Sequence, residues 1–168
     1  MADTSIARAA LGATTLNRKW FLDIAQSATS TPDWIGVFGV MEFKPGTDDT
    51  TQDTSDFSAG GWKGNQVTAK AWKLEFKVKR ATDATTVTDY DAGQELLRTQ
   101  SNLIGIAGRV HVRWYEMEPS GPRVEAYEGY GTVTWSEDGG GMDALSTVSV
   151  TVNGDGARTA VTHPTATA

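Results

Sequence analysis

The chain has 168 residues, a net charge of −6, no cysteine and 2 histidines. Those counts exclude a disulfide scaffold, a zinc–thiolate site, iron–sulfur ligation, a cysteine nucleophile and a multi-histidine metal centre. The acidic balance argues against a non-specific grip on phosphate backbones, while 18 Gly, 23 Thr and 6 Trp point to a folded, β-rich chain with many turns.

The first 16 residues are small and polar and read as an N-terminal arm, with a weak helical turn conceivable at 9–16. They lack a basic start followed by an apolar run, so no signal peptide is expected. No stretch approaches the ~18 apolar residues of a membrane span. The expectation is a soluble protein made in the cytoplasm.

Ordered structure is expected from Lys19-Trp20-Phe21-Leu22-Asp23. Residues Trp34 to Phe43 are apolar at both alternate sets of positions, which predicts a strand covered on both faces. Lys44 to Gly61 then reads as a long acidic loop carrying Asp48, Asp49, Asp53 and Asp56. Loops longer than about 12–15 residues are usually functional or disordered. Val67 to Arg80 alternates, with Trp72, Leu74, Phe76 and Val78 on one side and Lys73, Glu75, Lys77 and Lys79 on the other, which predicts a half-buried strand.

A helix is expected over Ala92 to Ile104. Asp91 would cap it, Gln94 stands where a capping box places its partner, and Gly105 would stop it. Leu96, Leu97, Gln100, Leu103 and Ile104 mark one narrow face, so the helix should flank a sheet. Further strands are expected at Arg109 to Glu116, Val124 to Trp135 and Leu145 to Val152. Gly129 and Gly131 suggest a bulge or a close backbone approach. The tail after Gly156 is Thr/Ala-rich and looks able to extend away from the body. The expected class is mainly β: a two-sheet antiparallel sandwich or open barrel with one flanking helix. Its parts are an arm at 1–16, a domain at 17–156 containing the loop 44–61, and a second arm at 157–168.

Chemistry is hard to find. Asp89-Tyr90-Asp91 lacks a third acidic ligand for calcium, and helix capping explains Asp91. Glu116 and Glu118 share a strand face as a glycosidase pair might, but exposed strand ends commonly carry such pairs. His111 lies between Arg109 and Arg113, which favours a neutral surface or interface histidine over a general base. No nucleophile elbow, phosphate loop or dinucleotide fingerprint is present, and Gly139-Gly140-Gly141 reads as a turn. No enzyme and no cofactor are expected. Trp72, Trp114 and Trp135 fall on inward sets; Trp62 adjoins the acidic loop and suits a partner surface.

Charge distribution is more informative. Residues 63–80 hold a local charge of +5, leaving −11 on the remainder. Such a basic strand on an acidic body wants an acidic partner, either nucleic acid or another copy of the chain.

The order of parts resembles the major tail (tail tube) proteins of long-tailed bacteriophages, especially those infecting actinobacteria. The residues that carry the resemblance are KWFLDI, PDWIGVFGVMEF with the loop ending DTSDFSAGGWKG, AWKLEFKVKR, YDAGQELLR, GRVHVRWYEM, VEAYEGYGTVTW and LSTVSVTVNGDG, spanning residues 17–160. The resemblance implies a non-enzymatic virion subunit made in the host cytoplasm. Such subunits form hexameric rings stacked into a tube through which the genome passes without specific binding. It further implies tape-measure, tail-terminator and baseplate or tip proteins as partners, with no membrane. Self-contact is expected through Asp48, Asp49, Asp53, Asp56, Phe57 and Trp62 of the loop and Lys70, Lys73, Lys77 and Lys79 of the basic strand. The alternatives are an inner-tube or terminator component of a contractile injection or secretion system, and a surface- or carbohydrate-binding β-sandwich module.

Overall fold

A computed structural model describes residues 14, 16–26, 31–58, 60–117 and 123–164. The expected features at 1–13, at Glu118 and at 165–168 lie outside the described residues. The alternating segments form ten strands: β1 (Trp20–Gln26), β2 (Ile35–Gly36), β3 (Val40–Thr47), β4 (Thr50–Asp53), β5 (Asn65–Ala69), β6 (Trp72–Lys79), β7 (Arg109–Glu116), β8 (Ala126–Glu137), β9 (Thr147–Gly154) and β10 (Thr159–Ala160). One helix, α1 (Ala92–Ser101), lies between β6 and β7. The main sheet is antiparallel in the order β2-β1-β7-β8-β9-β6-β3, with β10 paired to β8. Strands β4 and β5 make a separate hairpin.

Register follows from the period of two, because one face of every strand must meet apolar neighbours. Leu74, Phe76 and Val78 of β6 stand opposite Val152, Val150 and Val148 of β9, while Trp114 of β7 stands opposite Leu22 of β1 and Tyr127 of β8. Trp72, Leu74, Phe76, Val78 and Trp114, expected on inward sets, are buried, as are Val110, Val112, Val148 and Val150. The sheet curls until its flanks meet. The Trp20 and Phe43 rings of β1 and β3 lie 5.7 Å apart, and the Asn17 side-chain amide donates to the Phe43 carbonyl at 3.1 Å. The second layer is thus the same sheet folded over its own core, an open barrel.

Helix α1 begins where expected. The Asp91 carboxylate accepts the Gln94 N–H at 3.0 Å, which satisfies one of the orphan donors of the first turn. Gln94 does not complete a capping box; its side chain is buried and donates to the Phe38 and Lys79 carbonyls at 2.8 and 3.0 Å. Leu97 joins the core, so the helix does more than flank the sheet. It ends at Ser101, earlier than expected, leaving Leu103 and Ile104 exposed.

Three expectations are corrected. Trp34 to Phe43 is two strands rather than one: the chain turns at Gly39, whose φ of 78° suits glycine, and Phe38 and Met41 are left exposed. Lys44 to Gly61 is largely ordered, because β3 continues to Thr47 and β4 pairs with β5. Val67 to Arg80 is likewise broken into β5 and β6. The tail also departs from expectation. Thr159 and Ala160 pair with Glu128 and Tyr127, the Val161 N–H donates to the Ala126 carbonyl at 3.0 Å, and His163 packs edge-on against Tyr115.

Trp72 fills the space left by two glycines. A Cβ on Gly129 would stand 2.7 Å from the indole, and one on Gly154 would overlap it. Trp114→Ala should destabilise the fold by ~3–5 kcal/mol through lost transfer energy and an unfilled cavity. Gly154→Ala should cost about 1–3 kcal/mol by overpacking. Urea unfolding of both variants checks these values, and an unchanged midpoint for Trp114→Ala would contradict the register.

Candidate assembly surfaces

The acidic segment is a built hairpin. Asp49 accepts the Ala71 N–H at 3.3 Å, and the Asp48 N–H donates to the Ala71 carbonyl at 3.0 Å, so both residues close its base. Further out, the Asp53 carboxylate accepts the Ser55 N–H at 2.8 Å and that of Asp56 accepts the Ser58 N–H at 2.9 Å. These are Asx turns, in which short acidic side chains satisfy local backbone donors. The Ser55 hydroxyl and N–H hold the Asp53 carboxyl below its usual range. The Thr54 N–H donates to the Gly64 carbonyl at 2.8 Å across the hairpin. Phe57 is fully exposed at the tip, and Trp62 is 83% exposed.

The basic residues divide between two places. Lys70 lies at the hairpin base and is exposed. Lys73, Lys77 and Lys79 lie on the outer face of β6. Lys73 pairs with Glu75 at 2.9 Å, and Lys44 reaches the same carboxylate at 3.3 Å. Lys77 pairs with Asp138 at 3.1 Å. Asp138 also accepts hydrogen bonds from the Ser149 and Thr147 hydroxyls at 2.7 and 2.8 Å, and the three donors lower its pKa to about 2. Two of the four lysines therefore have carboxylate partners within the chain. Among the described residues, Lys70 and Lys79 form no ion pair, and Asp48, Asp49 and Asp53 form none with any lysine of the set.

A second arrangement occupies the outer face of β1, β7 and β8. Residues of alternate register there are Asp23, Arg113, His111, Arg109, Glu128 and Tyr130. Trp34 folds over them. His111 is only 7% exposed, with its ring 4.3 Å from Tyr130 and 4.7 Å from Trp34. Arg113 stacks on Trp34 at 4.5 Å and pairs with Asp23 at 2.6 Å; Arg109 stacks on Tyr130 at 4.2 Å and pairs with Asp155 at 3.3 Å. The sequence placed His111 between two arginines. The ring partners were not legible, because they come from separate segments. Burial depresses the His111 pKa, and Arg109 and Arg113 add to the effect against the opposing pull of Glu128.

Glu116 binds Lys19 and accepts the Val124 N–H at 3.3 Å; burial raises its pKa, but these partners outweigh burial and hold it low. Its role is to tie the β7 terminus. No group of three or more metal-ligating side chains is found among the described residues, and none of their helices is long and apolar enough to cross a membrane.

No family model and no curated protein matches the sequence. Solved structures do. A chain in the tail of an empty gene transfer agent particle, refined with C6 symmetry, superposes with a TM-score of 0.58 at 10% identity. The match covers 89% of this chain and 100% of that one. A chain in the virion of the native gene transfer agent particle gives a TM-score of 0.57 at 10% identity over the same shares. A chain in the six-fold symmetrised baseplate of the anti-feeding prophage gives 0.57 at 6% identity, covering 90% of this chain and 97% of that one. At such identities the shared property is the fold.

His111 generates a pH prediction. Its folded pKa lies below the unfolded value of about 6.5, so the unfolded chain takes up the proton first as pH falls. Stability from this site is fully present above about pH 6.5 and is lost as pH drops through the folded pKa. The His111 ring NMR signals should titrate below about 6.5 in the folded chain. His111→Gln should flatten the stability profile below about pH 6.5; an unchanged profile would refute the assignment.

Proposed function

We propose that the chain is a structural subunit of a phage-like tail tube, assembling as hexameric rings that stack around a genome conduit and residing in the virion. The observation that carries this reading is the likeness of nearly the whole fold to a chain in a C6-symmetric tail. The self-contained hairpin gives it a mechanism. β4 and β5 pair only with each other, so the hairpin leaves the barrel at Thr47 and Trp72 and carries exposed Phe57 and Trp62 outward. An isolated two-stranded hairpin is marginally stable in water, and its exposed aromatics are suited to burial against a neighbour.

The lysines of β6 and the aspartates of the hairpin belong to the same proposal as contact residues. The exposed, unpaired Lys70 and Lys79 are the charges most available to a neighbour. Exposed pairs contribute only ~0–1 kcal/mol each, but they repeat around every ring and could set register. Tape-measure, terminator and baseplate proteins would then be the partners at the tube ends. The acidic subunit suits passage of DNA without binding it. The baseplate likeness supports a second reading, an inner-tube or terminator component of a contractile injection or secretion system.

Negative-stain microscopy of concentrated protein tests the proposal. Hollow tubes or stacked rings are expected, and monomers overturn both readings. Replacing residues 50–69 by a short glycine-containing turn should leave urea stability nearly unchanged while abolishing tubes.

A further inference from the structure

The C-terminal segment carries a histidine whose two ring nitrogens both face acceptors. The segment is lightly held. Trp72 donates to the Gly156 carbonyl, Arg158 stacks on the Tyr127 ring at 4.5 Å, and β10 pairs with β8 over two residues. Beyond β10 the Val161 N–H donates to the Ala126 carbonyl at 3.0 Å. Half-buried His163 then stands edge-on to Tyr115, with ring centroids 5.6 Å apart. Its Nε2 meets the Glu116 carbonyl at the end of β7, and its Nδ1 lies 2.9 Å from the Pro164 carbonyl. A carbonyl oxygen only accepts, and a neutral imidazole has one N–H. The neutral ring therefore satisfies one of these carbonyls and turns a nitrogen lone pair toward the other. The imidazolium donates to both, in bonds strengthened by its charge.

We infer that His163 is a protonation-controlled latch: as the imidazolium it clamps residues 157–164 onto β7 and β8, and as the neutral ring it gives up one bond and lets the segment lift. The groups around it are Glu116 and Tyr115 of β7, with Lys19 paired to Glu116 and the Asp23–Arg113 pair beside Tyr115. Burial pushes the Glu116 carboxyl up, but Lys19 and the Val124 N–H outweigh it and hold it low, so it stays ionised. Burial first, and Asp23 next, push Tyr115 up to about 12, so its phenol stays neutral. Histidine is the side chain that ordinarily changes charge near neutral pH. The second bond exists only while the ring is protonated, so the latch is closed in acid and opens as pH rises. Opening has a consequence for the sheet. On the side of β8 away from β7, β9 pairs from Gly131 onward and β10 takes Tyr127 and Glu128. Release of the segment uncovers that stretch of β8 as a free strand edge, which can accept another strand. The latch belongs to a single chain and stands whether or not the proposed assembly does.

The test is hydrogen exchange of the Val161 amide in the full chain, dilute enough to stay unassembled, at about pH 5 and about pH 8, across which histidine changes charge. Protection factors remove the pH dependence of intrinsic exchange, and the Val112 amide of β7 reports the barrel itself. Local opening of a weakly held segment is what such a comparison reads. Val161 protection is expected to be about tenfold higher at the acid end, as when a hydrogen bond to a charged group is gained. His163→Gln, neutral at both values, is expected to lose that difference and leave Val112 as it was. The sign is opposite to that of His111, whose contribution to the barrel is lost in acid, so the two histidines are told apart. Equal Val161 protection at both pH values, or protection that rises toward alkaline pH, would overturn the latch. So would a difference that merely follows Val112, or one that survives His163→Gln.

Discussion

Trp72 is the residue on which the architecture turns. It opens β6 at the base of the hairpin, stacks on Trp114 at 5.1 Å, and donates its indole N–H to the Gly156 carbonyl at 3.0 Å. Gly129 and Gly154 leave the room that its ring occupies. One side chain thus links the hairpin, the barrel core and the start of the C-terminal segment. Interiors are close-packed, so a ring held on several sides resists displacement and transmits it. The hairpin therefore projects from a rigid base, although its own length is exposed on every side.

The division of labour across the sheet follows from the same alternation. The inward set makes a continuous apolar core. The outward set is divided. On β6 and β9 it is lysine, glutamate, serine and threonine, in pairs that are partly solvated and individually weak. On β1, β7 and β8 it is a cation–aromatic ladder covered by Trp34, in which each arginine has both a ring and a carboxylate. That half of the outer face is therefore closed by the chain itself, whereas the hairpin and Phe38 are exposed.

Period-two patterns were legible where apolar and polar residues alternate along the chain. β7 matches its expected bounds, and the inward residues of β6 and β9 are those the alternation indicates. Legibility failed where composition, not periodicity, was the guide. The Trp34 to Phe43 run is apolar throughout, yet Phe38 and Met41 are exposed because the run is broken into two strands at Gly39. A uniformly apolar run carries no register, so the break between its two strands could not be placed. Thr- and Asp-rich composition suggested a loop at 44–61, whereas threonine is also a good strand residue and Asp53 and Asp56 build turns. The tail lacks inward periodicity because β10 is only two residues long; its hold comes from single bonds at Gly156, Ala126 and Glu116 that no local pattern announces. Phe57 and Trp62, expected at a self-contact from their place in and beside the acidic segment, are both exposed.

The fold is shared with chains of a C6-symmetric tail and of a six-fold symmetrised baseplate, and the proposed function draws on that likeness. The central claim is that the subunit assembles in sixes. Native mass spectrometry of the smallest stable oligomer tests it most directly: the account requires masses in multiples of six 18.0 kDa chains. A population made only of monomers and dimers, at concentrations where the protein remains folded, would contradict it.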